Sequence, residues 1–247
     1  LSPIIAPYGF DEQNYEIARQ TPSLQHLAGT DELGRDIFSR ILYGGRVSLT
    51  IGIISVGIGL IFGGSLGVIA AYYGGVTETV IMRVIDVLMA IPSIILSISI
   101  CAALGSGIVN TMIAVGISSI PTYARVFRSS VISEKSKEYI EAARAVGAGN
   151  ARIILKHILP NSIAPVIVQA SLGVAQAITT AASLSFIGLG IQPPNPEWGA
   201  LLSSGRQYIR DFPHMVVYPG IAIMLTVLAL NLIGDGLRDA LDPRLKR

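Results

Sequence analysis

Long apolar runs separated by short polar connections make up most of the chain after residue 48. A run of about 20 apolar residues is long enough to cross the hydrocarbon core of a bilayer as a helix. On this basis we predict an all-α integral membrane protein. The sequence contains five such runs, at about 48–71, 84–104, 108–124, 162–184 and 215–233.

The amino-acid composition supports a membrane protein and argues against other classes. Hydrophobic residues make up 51% of the 247 residues and charged residues only 14%, which is too apolar for a soluble domain of this length. The 26 glycines and the 6% aromatic content favour packed helices over a β-barrel with aromatic girdles. A net charge of +2 without a basic, aromatic-rich segment argues against a nucleic-acid partner. The single cysteine, Cys101, is predicted to pack within an apolar run.

The distribution of charge predicts the orientation of the chain in the membrane. Residues 1–47 contain four arginines against six carboxylates, whereas residues 125–157 contain seven basic residues against three acidic ones. Because loops rich in Lys and Arg stay in the cytoplasm, we predict that 1–47 is extracytoplasmic and that the connection after residue 125 is cytoplasmic. Five crossings then place residues 236–247 in the cytoplasm as a tail. An extracytoplasmic start requires a preceding helix, so we expect five membrane helices here of six in the full-length protein.

The segment 138–160, EYIEAARAVGAGNARIILKHILP, is a polar insert between apolar runs and is predicted to be a small helix-turn-helix. Gly147 and Gly149 should end a short amphipathic helix. Asn150 should cap a second helix, which Pro160 should end because proline lacks an N–H and clashes with the preceding turn. The apolar stripe expected on the first helix is Tyr139, Ala142, Ala143 and Val146. Small side chains on a protruding helix suit docking into a groove of a partner.

Four segments in this order resemble the second permease subunit of the dipeptide/oligopeptide/nickel family of type I ABC importers. They are GTDELGRDIFSRILYGGRVSL at 29–49, the 138–160 segment, ASLSFIGLGIQPPNPEWGALL at 182–202 and GDGLRDALDPRLKR at 234–247. The coupling motif of that family is matched here by Glu141, Ala142, Ala143, Gly147, Leu159 and Pro160. His157 stands where the motif has isoleucine, with Ile158 one residue later. The resemblance therefore implies a loop that couples the chain to an ATPase.

The same resemblance implies an architecture and a set of partners. It indicates a type I ABC importer transmembrane domain over 48–235, with a coupling loop at 125–160 and an external loop at 185–214. Such a chain forms the translocation pathway with a homologous permease subunit in the inner (plasma) membrane of a bacterium. The chain itself is expected to be non-catalytic and to bind no metal or cofactor, because two partner subunits bind ATP and Mg and hydrolyse ATP. An extracytoplasmic binding protein is expected to deliver di- or oligopeptides.

Two alternatives stay open at this point. The same architecture serves nickel, metal chelates or glutathione, and the permease sequence does not settle the cargo because selectivity is attributed to the binding protein. A more distant alternative is a channel or secondary transporter that needs no ATPase. Ionisable residues are nearly absent from the apolar runs, which argues against the ion relay that such a transporter requires. The sequence also lacks the GxxxxGK[ST] loop that cradles nucleotide phosphates.

Two stripes of residues within the apolar runs carry specific predictions. Small residues recur every four positions in the first run, which permits close packing of two helices or sliding during gating. These are Ser55, Gly59, Gly63, Gly67 and Ala71. Polar residues recur in the fourth run and, because polar groups are costly in lipid, should line a pathway or bond to other helices. These are Gln169, Gln176, Thr180 and Ser183.

The extracytoplasmic segments contain candidates for contact with the membrane surface or a soluble partner. Residues 31–43 are amphipathic and are predicted to form a helix lying on the outer interface. Asp31 and Asp36 are candidates for docking a binding protein, with a solvated helix face as the alternative. In the external loop, Trp198 and Tyr208 are expected at the membrane interface. The loop either receives a soluble partner or folds back to seal the outer side.

Two further features of the apolar runs predict local structure. Arg83 and Asp86 are three residues apart, a spacing at which oppositely charged side chains on one helix can pair. Pro92, Pro121 and Pro219 lie within or near the runs and are expected to bend their helices.

Overall fold

A computed structural model describes residues 2–241 of the chain, and within them the secondary structure is helical without a named β-strand. Residues 242–247, which are half of the predicted cytoplasmic tail, lie outside the described residues. The main helices are α1 Ile37–Tyr73, α2 Gly75–Met89, α3 Ser93–Leu104, α4 Ile108–Lys135, α5 Glu138–Ala145, α6 Asn150–Phe186, α7 Trp198–Gly205 and α8 His214–Leu241. Single turns of helix occur at Ser2–Ile5, Tyr15–Ile17 and Arg206–Tyr208.

Three of the described helices, α1, α6 and α8, are long and apolar enough to cross a membrane. They contain the first, fourth and fifth predicted runs. The third run lies in α4, a helix of 28 residues that is less apolar because polar side chains such as Asn110, Ser118 and Ser119 interrupt it. Its position explains this composition, since α4 packs against α1, α3 and α6 in the middle of the bundle.

The second predicted run, 84–104, is not a single straight helix. It is divided between α2 and α3, which meet at an angle of 86° and are long and apolar enough to span a membrane only when taken together. The break falls at Pro92, whose missing N–H and ring prevent the helix from continuing. The predicted bend at Pro92 is therefore confirmed, whereas Pro121 and Pro219 lie inside the continuous helices α4 and α8.

The small-residue stripe of α1 packs directly against α4. An added Cβ would lie 2.4 Å from the Ile120 carbonyl oxygen at Gly63, and 2.3 Å from the Ala124 carbonyl oxygen at Gly67. The Ser55 hydroxyl, on the same edge, donates to the carbonyl oxygen of Met112 at 3.1 Å. Backbones can approach this closely only where a side chain is absent, so the predicted close packing is confirmed.

Burial differs strongly among the membrane helices and orders them from centre to periphery. In the most apolar 18-residue window, 44% of the residues of α1 are buried inside the chain, against 22% for α6 and 6% for α8. The outer face of α8 exposes large apolar side chains such as Leu225, Leu228 and Leu232. A helix that exposes apolar side chains over its whole length suits lipid or another membrane helix as its neighbour.

The predicted interfacial helix at 31–43 is wrong. Helix α1 begins directly after Asp36, whose carboxylate caps it and also lies 2.9 Å from the Nδ1 atom of His26. Asp31 pairs with the guanidinium of Arg35 at 2.6 Å, and both aspartates are buried. The amphipathic pattern reflects this buried network of charges instead of a helix on a membrane surface. Neither Asp31 nor Asp36 is available for docking a binding protein or for contact with solvent.

The segment 185–214, predicted to be an external loop, contains α7, which packs against α6 and α8. Trp198, predicted at the membrane interface, is instead buried, and its indole N–H donates to the Ile41 carbonyl oxygen at 2.9 Å. The fully buried Glu197 caps α7 by accepting from the backbone N–H of Ala200, and it also accepts from the Ser48 hydroxyl. The loop is thus tied to the start of α1 by polar contacts across about 150 residues of sequence.

Candidate coupling surface and membrane cavity

The turn after α5 has the geometry that the two glycines predict. Gly147 has a φ of +81°, a conformation that favours glycine, and its N–H donates to the Arg144 carbonyl oxygen at 2.9 Å. The N–H of Ala148 donates to the Ala143 carbonyl oxygen at 3.0 Å. This pair of bonds is the Schellman arrangement, which satisfies the last carbonyl groups of a helix and reverses the chain.

The second helix of the loop does not end at Pro160, contrary to the prediction. Helix α6 begins at Asn150 and continues to Phe186, and its residues Ile153–Ile158 form a wider π-helical turn just before the proline. A π turn bonds i to i+5, as the N–H of Leu159 does with the Ile154 carbonyl oxygen, so the ring of a following proline meets a displaced carbonyl. The second half of the predicted coupling loop is therefore the first part of a membrane helix.

Helix α1 is fastened to this loop through Tyr72. The Tyr72 hydroxyl donates to Oδ1 of Asn150 at 2.7 Å, so the Asn150 side chain joins two helices instead of capping one as predicted. Lys135, at the end of α4, donates to the Tyr72 carbonyl oxygen at 2.6 Å. The guanidinium of Arg144 lies 5.7 Å from the Tyr72 ring centroid, within the range of a cation–π contact. One residue of α1 thus contacts α4, α5 and α6.

A second group of hydrogen bonds holds α5 to the ends of α4 and α6. The Tyr139 hydroxyl donates to the carboxylate of Glu134 and accepts from the Asn161 amide at 3.3 Å. Burial and the adjacent Glu134 carboxylate raise the pKa of Tyr139 to about 12, so its phenol is protonated at neutral pH. Lys137 pairs with the other oxygen of Glu134 at 2.7 Å. These contacts fix the orientation of α5.

The outward face of the loop carries the predicted coupling residues. Ile140 is the buried residue of α5, and with Ile153 and Ile158 it turns one face of the loop towards the chain's own core. The opposite face exposes Glu141, Ala142, Gly147 and Pro160, with Ala143 and Leu159 half-buried. Val146 is 84% exposed and Leu155 is 64% exposed. Of the predicted apolar stripe, Ala142 and Val146 point away from the chain, whereas Ala143 packs partly against its core and Tyr139 bonds to α4 and α6. The exposed Val146 and Leu155 beside Ala142 form a surface suited to a partner.

Ion pairs connect α2 to α4 near the same end of the bundle. Asp86 pairs with Arg125 at 2.7 Å, so the predicted pair between Arg83 and Asp86 is wrong. Glu78 pairs with Arg128 in the next turns of the two helices. The 86° bend after α2 lays this helix across α4, and the carboxylates reach arginines on the neighbouring helix before they reach one on their own.

A cavity of about 340 Å³ lies between α1, α3, α4, α6 and α8. Three of the four predicted pathway residues, Gln169, Gln176 and Thr180, line it from α6. The fourth, Ser183, is exposed outside the cavity, and its hydroxyl donates to the carbonyl oxygen of Thr179. None of the described residues that line the cavity carries a charge. The cavity is thus neutral, and its lining combines apolar side chains with hydrogen-bond donors and acceptors.

Further polar residues of this cavity were not predicted from the sequence. They come from the other helices that surround it: Ser93, Ser118, Ser119, Thr122, Tyr123 and Asn231. Tyr123 is only 2% exposed, and its hydroxyl has no hydrogen-bond partner among the described residues. The signal in the sequence is the polar cluster SSIPTY within the apolar run of α4, which lies on a different helix from the repeating polar residues of α6.

The described residues form a bundle of apolar helices with a neutral cavity, and a helix-turn-helix with an exposed face is hydrogen-bonded to one end of it. This is the arrangement of a multi-pass membrane permease. Residues 63–247 match the family model of the binding-protein-dependent transport system inner membrane component. The chain therefore belongs to this family of bacterial inner membrane permeases, the membrane components of ABC importers.

Similar proteins support this assignment. The dipeptide transport system permease protein DppC of Alkalihalophilus pseudofirmus is 51% identical over all of this chain and 81% of its own length. The glutathione transport system permease protein GsiD of Pectobacterium atrosepticum is 50% identical over 96% of this chain and 80% of its own length. A solved structure of the MetNI methionine ABC transporter in an inward-facing conformation has a TM-score of 0.68. It covers 82% of this chain and 96% of its own at 18% identity, which supports the fold.

Proposed function

We propose that this chain is one of two permease subunits of a peptide importer, and that it pairs with a homologous permease to form the translocation pathway. The observation that carries the proposal is the coupling surface, defined here as the exposed face formed by Glu141, Ala142, Val146, Gly147 and Leu155. Its small and apolar side chains suit insertion into a groove of an ATP-binding subunit. Its attachment to α1 through Tyr72 gives a route by which movement of that subunit reaches the membrane helices.

In this proposal the chemistry of ATP belongs to the partners. Two ATP-binding subunits on the cytoplasmic side hold ATP and Mg, and this chain has the GxxxxGK[ST] loop nowhere in its sequence. The excess of basic residues over 125–157 supports a cytoplasmic position for the coupling surface. An extracytoplasmic binding protein delivers the cargo to the opposite side, near the external loop.

Di- or oligopeptides are the cargo that we propose first, because a dipeptide permease matches the chain over its whole length. The neutral cavity supports this choice, since hydroxyl and amide groups can pair with the N–H and C=O groups of a peptide. Glutathione is the second candidate, because a glutathione permease is nearly as similar. The two cargoes share an amide backbone, so the same cavity chemistry serves both.

A cysteine-labelling experiment tests the coupling surface. The native cysteine, Cys101, is buried, so Ala142→Cys introduces a thiol that a maleimide reagent can reach selectively. We expect rapid labelling in membranes that contain both permeases without the ATP-binding subunits, and at least tenfold slower labelling in the complete transporter. Gln25→Cys, an exposed position in the extracytoplasmic segment, is the matched control and should label equally in both. Equal labelling of Ala142→Cys in the two preparations would rule out docking at this surface.

A further inference from the structure

Helix α2 lies across the other helices of the bundle and not along them. It meets α3 at an angle of 86°. Its two carboxylates, Glu78 and Asp86, are about 12 Å apart along the axis of α2 at about 1.5 Å per residue. Their partners Arg128 and Arg125 are only about 4.5 Å apart along α4. Since α4 packs along α1, which is long and apolar enough to cross a membrane, α2 lies close to the membrane plane.

The ion pairs place α2 at one edge of the apolar region. The apolar run of α4 ends at about residue 124, and Arg125 and Arg128 follow at once. The charge distribution predicts that this end of α4 faces the cytoplasm. An amphipathic helix that lies in the membrane plane at this depth turns its apolar face towards the acyl chains and its charged face towards the headgroups.

Helix α2 has both of the faces that such a position requires. Four valines repeat every three or four residues along it and are 57% to 81% exposed: Val76, Val80, Val84 and Val87. Arg83 borders this valine stripe, because it is three residues after Val80 and four before Val87. Its guanidinium forms no ion pair or hydrogen bond with any other described residue. The exposed surface of α2 thus joins an apolar stripe to a cation.

A basic groove of about 530 Å³ lies between α2 and α4, next to the valine stripe. Its charged lining consists of three arginines against two carboxylates: Arg83, Arg125, Arg128, Glu78 and Asp86. A guanidinium has five N–H donors, and the contacts of Arg125 and Arg128 with their carboxylates use only one or two of them. The groove therefore keeps both a net positive charge and free donors for an anion.

We propose that this groove binds the headgroup of an anionic phospholipid of the cytoplasmic leaflet, with the phosphate beside Arg83 and the acyl chains against the valine stripe. Arginine suits phosphate because its planar group can donate two parallel hydrogen bonds to it. Basic pockets between membrane helices on the cytoplasmic side are typical binding sites for acidic lipids. The site is separate from the coupling surface and the cavity, so it does not depend on the cargo.

The apolar surface beside the groove favours a lipid over other occupants. A soluble phosphate ion or a nucleotide has no acyl chain to cover the exposed valines, whereas a phospholipid matches the cation and the stripe together. A stable contact between subunits requires a broad and mostly apolar surface. The valine stripe is narrow, about 16 Å long at about 1.5 Å per residue, and is bordered by charged side chains.

The test measures phospholipid binding to the complete transporter in detergent by native mass spectrometry, with phosphatidylglycerol as the anionic probe and phosphatidylcholine as the zwitterionic one. Arg83→Gln should weaken the binding of one phosphatidylglycerol per complex by about fivefold, the value of one basic residue at an anionic surface. Binding of phosphatidylcholine should change little, because its choline group offsets the phosphate charge. Arg83→Lys keeps the charge and should retain most of the binding. Val84→Ser should weaken the binding of both lipids, which a site for a soluble phosphate ion would not show.

Arg210→Gln is the matched control, because Arg210 is an exposed arginine at the opposite end of the bundle and should not affect phosphatidylglycerol binding. Unaltered phosphatidylglycerol binding by Arg83→Gln would overturn the inference. Equal weakening of both lipids by Arg83→Gln would do the same, since the arginine would then not recognise the charge of the headgroup. Loss of the second permease from the Arg83→Gln complex would assign this face to a subunit contact and would also overturn the lipid site.

Discussion

Gly67→Leu is expected to prevent the chain from reaching a stable folded state. Even the first atom of the new side chain, Cβ, would lie 2.3 Å from the carbonyl oxygen of Ala124, so the backbones of α1 and α4 must separate. Overpacking a core costs about 1–3 kcal/mol for modest insertions, and here four side-chain carbons must be placed against backbone. We expect loss of the monodisperse peak in size-exclusion chromatography of the detergent-solubilised transporter.

Gly57→Leu is the matched control for that variant, because it lies in the same helix and an added Cβ meets no heavy atom within 4 Å. It should give a normal chromatographic peak and a melting temperature within a few degrees of the unaltered protein. If Gly67→Leu behaved like Gly57→Leu, the close approach of α1 to α4 would be wrong, and with it the packing that surrounds the cavity.

Gly147→Val is expected to uncouple ATP hydrolysis from transport while the chain stays folded. A β-branched residue at a φ of +81° costs about 1–3 kcal/mol of backbone strain, and it disturbs the turn that orients α5. No heavy atom lies within 4 Å of an added Cβ at this position, so the effect is on the loop and not on the core. We expect uptake of cargo to fall at least tenfold, with basal ATPase activity retained and stimulation by the loaded binding protein lost.

The control for Gly147→Val is Gly149→Val, two residues away in the same turn. Gly149 is equally open, but its φ of −68° and ψ of 155° are an extended conformation that valine adopts readily. It should retain most of the stimulated ATPase activity and uptake. Equal coupling in the two variants would show that the turn at Gly147 does not set the position of the coupling surface.

The coupling loop shows which local features can be predicted from sequence. The turn at Gly147 depends on the backbone conformation and hydrogen bonds of about six consecutive residues. The sequence therefore predicts it correctly. A proline ordinarily ends a helix for an equally local reason, yet the helix continues through Pro160. It continues because the π-helical turn at Ile153–Ile158 displaces the carbonyl group that the proline ring would otherwise meet. Nothing in the spacing of apolar residues distinguishes a π turn from an α turn over so short a segment.

The directions of the membrane helices could not be predicted from the sequence. A count of apolar residues detects a segment that can lie in lipid but gives no information on the direction of that segment. Pro92 therefore predicts that the helix bends, but not that α2 and α3 meet at 86°. Asp86 pairs with Arg125, 39 residues away, because the bend brings the two helices together. Local spacing favoured Arg83, and only tertiary structure decides between them.

The cavity and the extracytoplasmic segment show that polarity alone does not reveal burial. Gln169 and Gln176 repeat on one helix and are therefore predicted, whereas Tyr123 belongs to a short polar cluster on α4 that has no helical repeat. Asp31 and Asp36 have the sequence appearance of a solvated surface, yet both are buried against Arg35 and His26. A buried charge pair requires its partner in space, which the sequence pattern does not give.

The most direct test of the account is uptake of radiolabelled dialanine into proteoliposomes that contain both permeases and the ATP-binding subunits, with the binding protein outside. We predict uptake against a gradient that requires ATP in the lumen and the loaded binding protein outside, with nickel ions transported at least tenfold more slowly than dialanine. Glutathione in place of dialanine would assign the second candidate cargo. Uptake that proceeds without ATP, or with this chain alone, would contradict the assignment of this chain as the coupled permease of an ABC importer.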